Sequence, residues 1–323
     1  MAGTFQNPVW PGYFADPFVL RWRGEYFAYG TGATVERDST GAAVAFKILR
    51  SHDLTAWSDA GAALRLDAHE SDDAYWAPEV AEVSGRFHLY YSTAPRDADE
   101  RHRIHVAIAH GPTGPFLRGG AVLPEAEGFC IDAHPFRDPC DGTWYLFFAK
   151  DYFDGRTGTG LAVAPLSSDL LRSVGESRTV VRANADWQIY ARNRALYGRT
   201  WDAWHTVEGP CVVAHDGRYY CFYSGGNWQT HDYGVSYAVA DHPLGPWSHP
   251  PESAPLVLRQ VPGKVLGPGH NSYVLAPDGH TDLLVYHAWD PAGTARRMCL
   301  DRLVWTKDGP RCAGPSTTPQ TWG

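Results

Sequence analysis

Methionine is almost missing from this chain, with 2 in 323 residues, and bases are outnumbered by acids, 28 against 36. The net charge of −8 and the lack of any Lys/Arg run give a surface that repels phosphate backbones, which argues against a nucleic-acid partner. No apolar run reaches membrane-spanning length, so no membrane is expected as a partner. The N-terminus "MAGTFQNPVWPGYF" has no basic segment followed by an apolar one, and the reading is a cytoplasmic protein. None of the six cysteines (Cys130, Cys140, Cys211, Cys221, Cys299 and Cys312) forms a C-x-x-C pair. That argues against structural zinc, and the thiols are expected to be reduced and mostly buried. G-x-S-x-G is absent, which removes the nucleophile elbow of serine hydrolases. The Gly-rich "GRTGTG" stands between two strand patterns rather than before a helix, so a nucleotide loop is not expected. Helical periodicity is scarce; "SSDLLRSV" amounts to at most a turn or two.

What the chain has in quantity is aromatic residues, glycine and proline, the composition of a turn-rich β protein. One pattern recurs five times: a turn glycine followed by an aromatic strand, in "GEYFAYGTG", "GRFHLYYST", "GTWYLFFAK", "GRYYCFYSG" and "GHTDLLVYHAW". The turn glycines are Gly24, Gly85, Gly142, Gly217 and Gly279. A short apolar strand with a polar start precedes each, and a further strand follows each. Two of those following strands end in the related turns "PTGPF" and "PLGPW". Repeats of roughly 60 residues, each with at least three strands, predict radially arranged sheets. The expected fold is all-β, a single five-bladed β-propeller domain over 1–323. One interval is longer than the others. Its extra text, about Arg178 to His205 with Trp187, Trp201 and Trp204, is expected to be a long loop, either packed or shaping a ligand cleft.

In a propeller the first strand of each blade runs along the axis, so the five strand starts meet at one mouth of the channel. The residues assigned to that shared position are Asp16, Glu79, Asp132, Glu208 and His270. Clustered carboxylates repel, so at least one is expected to hold its proton near neutrality beside others that do not. This is the requirement for a general acid working with a general base, as in glycoside hydrolysis. Aromatic residues near those starts, Trp10, Tyr13, Phe14, Trp76 and Trp228, suit the C–H faces of a sugar ring.

The motifs "ADP" at 15–17, "YWAPEV" at 75–80, "IDAHPF" at 131–136, "EGP" at 208–210 and "GPGHNSYV" at 267–274, in that order, resemble glycoside hydrolase family 43. The resemblance implies an inverting hydrolase with Asp16 as general base, Glu208 as general acid and Asp132 as the group that keeps Glu208 protonated and oriented. It implies a separation of roughly 6.5–9.5 Å between the Asp16 and Glu208 carboxyl groups. It puts Trp76 and Glu79 on the substrate-site strand and implies that Arg296 or Arg297 reaches the substrate, beside Phe14 and Trp228, which the aromatic pattern already assigns to it. It implies one structural calcium ion near His270 on the axis and no organic cofactor. The implied partner is an oligosaccharide, and the favoured activity is release of terminal α-L-arabinofuranosyl residues. β-Xylosidase and endo-arabinanase are the nearest alternatives; a phosphorylase or a non-catalytic glycan-binding propeller is more remote.

Overall fold

The computed structural model describes residues 3–250 and 254–322. The blades follow one another along the chain. The first is built from Ala15–Trp22, Glu25–Thr31 and Ala43–Ser51, with Ser58–Arg65 on its outer side. The second contains Asp73–Val83, Arg86–Pro95, Arg103–Ala109 and Leu117–Leu123. The third contains Cys130–Arg137, Trp144–Tyr152, Gly158–Pro165 and Arg178–Val181. The fourth contains Val207–His215, Arg218–Gly225 and Gly234–Ala240, and the fifth Leu266–Leu275, Asp282–Trp289, Arg296–Thr306 and Gly309–Cys312. These are the five blades that the repeated pattern predicts.

The turn glycine of each blade has positive φ, between 74° and 82°. In three blades the residue before it, Arg23, Ser84 or Asp216, is left-handed as well. Two successive positive φ values define the hairpin turn whose twist matches the strands it joins, so the pairs Trp22↔Glu25, Val83↔Arg86 and His215↔Arg218 close in register. The related turns "PTGPF" and "PLGPW" share a geometry too: Gly114-Pro115 and Gly245-Pro246 are both cis, after glycines with positive φ.

Apolar side chains pack between neighbouring blades rather than at a common centre. Between the first and second, Phe27, Tyr29 and Ile48 meet Leu89, Tyr91 and Phe116. The ring is closed by the chain ends: Gly3–Phe5 pairs antiparallel with Gln320–Trp322, and Phe5 stacks on Trp322 at 5.0 Å. Asn7 fastens the N-terminal segment to the fifth blade, its side chain bonding both the N–H and the C=O of Leu300 at 2.8 and 2.9 Å. All six cysteines are free; four are buried, Cys312 is half-buried and Cys140 exposed.

The long interval is not a loop. After Arg178–Val181 completes the third blade, Ile189–Leu196 and Arg199–His205 form a hairpin that joins that blade's sheet through Gly158↔His205. Trp204 is buried in it, and Trp187 packs against Gly225 of the fourth blade. Alternating aromatic and basic residues here carry the strand signal, which the length of the segment obscured.

Candidate active site

Each inner strand carries a residue in the left-handed region at one shared position, Asp16 (φ 48°), Ala77 (48°), Asp132 (58°), Gly209 (57°) and His270 (51°); the fifth strand has a second, Gly267 (48°), nearer its start. Every one lies inside a register shift between the inner strand and its neighbour. Such a bulge re-aims a side chain where the strand enters the mouth, at a cost in backbone strain that surrounding contacts must hold. This corrects the assignment of the shared position. Glu208 stands one residue before it and Glu79 two residues after, so neither is equivalent to Asp16, Asp132 or His270. Glu208 still lines the mouth, whereas Glu79 does not.

The N–H of each residue at the shared position needs an acceptor, and the previous blade supplies it. Thr31 Oγ1 accepts from Ala77 at 2.8 Å, Ser92 Oγ from Asp132 at 3.0 Å, and Ser224 Oγ from His270 at 2.7 Å. The third blade has Ala149 at the matching distance from its turn glycine, and no hydroxyl. The Gly209 N–H therefore goes to Asp132 Oδ2, at 3.0 Å. The ring closes at His287, whose Nδ1 accepts the Asp16 N–H at 3.1 Å. Ser92, Ser224, Ala149 and His287 were not singled out from the sequence. For three of them the signal existed: Ser92, Ala149 and Ser224 stand seven residues after their turn glycines, as Thr31 does, whereas His287 stands eight after Gly279 and Tyr286 takes the matching place.

The mouth is a hollow of about 260 Å³ lined by Tyr13, Asp16, Asp132, Glu208, His270 and Arg296, with Trp76 and Trp228 on its walls. Asp16 is buried beside Arg296 Nη1 at 3.2 Å and His270 Nδ1 at 3.5 Å. Burial alone would push its carboxyl up. The Arg296 guanidinium and then His270 outweigh burial and hold it well below the usual carboxylate range. Asp16 is thus an anion throughout the working pH range. Glu208 shows the opposite balance: burial and then the Asp132 charge push it up to about 8, against His270 and the 2.7 Å hydrogen bond donated by the Tyr233 hydroxyl. Asp132, also buried, is pushed up to about 6, with His270 and the Gly209 N–H opposing. Glu208 therefore carries a proton at neutral pH while Asp16 and Asp132 do not. His270 is raised because Asp16, Asp132 and Glu208 overcome its burial, whereas His287 is pushed down to about 4 by burial and stays neutral.

The remaining expected residues divide. Arg296 reaches the hollow and is fixed there: its Nε and Nη2 donate to Tyr13 Oη at 3.2 and 3.0 Å, and its guanidinium lies 4.3 Å over Trp228. Arg297 pairs instead with Asp290 at 3.0 Å. Trp76 lines the hollow and stacks on His102 at 3.5 Å, and Trp228 stacks on Trp289 at 6.0 Å. Phe14 does not line the hollow; it is 0 % exposed and sits in the core between the first and fifth blades. The space it fills exists because residue 30 is glycine, where a Cβ would lie 2.6 Å from the Phe14 ring. Glu79 does not line it either. Its Oε2 takes the His134 Nδ1–H at 2.8 Å, and His134 Nε2 accepts the Val212 N–H at 3.0 Å, so Glu79 ties the second, third and fourth blades together. Tyr233 is a buried partner of the acid that sequence reading missed; it is held parallel to His287 at 5.9 Å and occupies room left by Gly269.

The donor atoms of Asp132, Glu208 and His270 lie within 4.8 Å of one another, with Asp16 outside that set. Calcium takes six to eight oxygen ligands, which two carboxylates already bonded to the Gly209 N–H and the Tyr233 hydroxyl do not provide. Next to His270, however, Asn271 Oδ1 and Nδ2 and His287 Nε2 are buried without a protein partner. Buried polar atoms of this kind suit ordered water. The residues present therefore fit a calcium ion only in a water-rich form, with the His270 imidazole as its protein ligand.

The sequence profile of the Glycosyl hydrolases family 43 matches residues 5–310. The chain is 28% identical to an extracellular exo-α-(1→5)-L-arabinofuranosidase of Streptomyces chartreusis, over 88% of this chain and 82% of that one. It is 27% identical to a β-D-galactofuranosidase of Aspergillus niger, over 94% and 83%. A crystal structure of a thermostable family-43 glycoside hydrolase superposes with a TM-score of 0.83 at 32% identity, covering 98% of each chain.

Proposed function

The chain belongs to glycosyl hydrolases family 43 and is a glycosidase acting on carbohydrate, and from that premise we propose that it is an inverting, exo-acting α-L-arabinofuranosidase. The observation that carries the reading is the split between two carboxyl groups at one small hollow: Asp16 held as an anion, Glu208 held protonated. Asp16 takes a proton from a water aimed at the anomeric carbon. Glu208 gives its proton to the departing oxygen, and His270, within 4.8 Å, stabilises the carboxylate that remains. Arg296 and His287 keep the base in place, and Asp132 keeps the acid loaded until substrate arrives. The hollow of about 260 Å³ has the size of one terminal sugar rather than of the middle of a chain. Two relatives named as furanosidases support a five-membered ring.

A panel of aryl glycosides tests the sugar. The α-L-arabinofuranoside is expected to be cleaved with the highest kcat/KM, at least about tenfold above the β-D-xyloside, and its first-formed product by proton NMR should be the β-anomer. First-formed α-anomer would remove inversion, and preferential xyloside cleavage would remove the arabinofuranoside. The A. niger relative carries a second reading, a β-D-galactofuranoside, which the same panel includes.

A calcium ion held by His270 and water belongs to this proposal. Bound there, it would supply fixed positive charge on the axis. Chelation is then expected to lower Tm by about 2–4 °C, restored by calcium. A Tm indifferent to both would remove the ion.

A further inference from the structure

On the face that bears the catalytic mouth, a groove of about 560 Å³ lies between the second and third blades. Three aromatic side chains line it: Phe129, Phe153 and Tyr197. Phe153 is 55 % exposed and Tyr197 39 %, two of the few large apolar residues that the described surface leaves in water. They meet each other at 5.4 Å, and Trp201 backs Phe153 at 5.8 Å. The platform is held from behind by cations: Arg199 lies 3.9 Å over Trp201 and Arg194 5.4 Å over Trp204. Tyr197, at the hairpin tip, is fixed by its hydroxyl donating to Asp151.

The groove adjoins the hollow. Phe129 is two residues from Ile131, which lines the hollow, and the Trp76 wall stacks on His102, whose neighbours Arg101 and Arg103 line the groove. At the hairpin base, Tyr190 is raised by burial and, against Arg194, by the charges of Glu208 and Asp99. The hairpin strand Arg199–His205 runs directly into the strand that carries Glu208.

We propose that this groove binds the leaving-group side of the glycan, a neutral saccharide chain extending beyond the sugar that is released. The proposal rests on Glu208 as the acid, because the departing oxygen and what it carries must lie on the side of that residue. The chemistry of the groove selects the ligand class. Its charged walls hold three acidic and three basic residues, with Lys150 and Glu127 paired at 2.6 Å, so nothing there favours an anion or a cation. Exposed aromatic faces suit sugar C–H surfaces.

A length series of α-1,5-arabino-oligosaccharides from two to six units tests the groove. In the parent protein kcat/KM should rise about tenfold from the dimer to the tetramer. The double variant Phe153→Ala/Tyr197→Ala should abolish that rise, lowering the tetramer-to-aryl-monoglycoside ratio of kcat/KM about tenfold. A parent profile flat with length, or equal losses on tetramer and aryl glycoside, overturns the proposal. Calorimetry on the Glu208→Gln protein, with this series and the matching xylo-oligosaccharides, supplies a readout independent of turnover. Affinity should rise with length and the Phe153→Ala/Tyr197→Ala changes should remove the rise. Length-independent affinity for both series overturns the groove, whereas length-dependent xylo binding alone strikes the sugar assignment and leaves the groove standing.

Discussion

Glu208→Gln should lower kcat/KM by about 10³-fold on a glycoside with an alkoxide leaving group, and by less than about tenfold on a dinitrophenyl glycoside. The difference follows from the role. An alkoxide cannot depart without the proton that Glu208 supplies, whereas dinitrophenolate can. Asp16→Asn should lose about 10³–10⁴-fold on both substrates, because the attacking water needs its base whatever departs. Kinetics on the two substrates therefore assign the acid and the base separately. Equal losses for Glu208→Gln on both would remove it as the acid. Stability gives a second readout with a fixed sign. Glu208 binds its proton more tightly in the fold than in the unfolded chain, being raised from the ordinary glutamate range to about 8. Its contribution to stability is complete below that ordinary range and is lost as pH rises through about 8. Gln has no charge to bury, so the inactive variant should melt above the parent at pH 8–9, with the difference vanishing near pH 4. A variant less stable than its parent at pH 8.5 would contradict the elevated proton affinity. The acid thus costs stability at the pH where it works.

The sequence exposed the blades because each blade repeats a local signal, a turn glycine and an aromatic strand that needs no partner to be recognised. It exposed Asp16, Asp132, Glu208, Trp76, Trp228 and Arg296 as residues of one mouth, and all six line it. It did not expose their phase. Glu79 and Glu208 look equivalent to Asp16 when motifs are aligned by acid. The bulge that sets the phase is visible only in backbone angles and in the register with the neighbouring strand. Phe14 failed for a similar reason: its direction is decided by Gly30 on the paired strand, not by its own neighbours. His287 acts on Asp16 across a blade boundary and Tyr233 acts on Glu208 from within the fourth blade, and no local spacing relates either to its partner. The hydroxyl ring is the exception, since Thr31, Ser92 and Ser224 recur at one place in the repeat and could have been read as interblade acceptors.

Asp132→Asn should slide the whole pH–kcat/KM bell toward acid. Asp132 does not touch the departing oxygen; it acts through Glu208, and its charge is the largest cause after burial of the elevated proton affinity there. The parent works between two steps of this coupled pair. Above about 6, Asp132 is ionised; below about 8, Glu208 is still protonated. Asparagine keeps the shape, and its Oδ1 can still accept the Gly209 N–H that Asp132 Oδ2 takes at 3.0 Å, but it removes the negative charge. With that charge gone, His270 and the Tyr233 hydroxyl oppose burial with less resistance, and Glu208 releases its proton at lower pH. The alkaline limb should move down by about a unit or more, so that kcat/KM at pH 8 falls at least about tenfold further than at pH 5.5. The step near 6 disappears with the group that titrates there, and the acidic limb should withdraw toward the low range in which Asp16 takes a proton. The opposite pattern is also decisive. If Asp132→Asn lowered kcat equally at every pH and left the alkaline limb in place, Asp132 would be a strut for Gly209 and the acid would draw its proton affinity from burial alone.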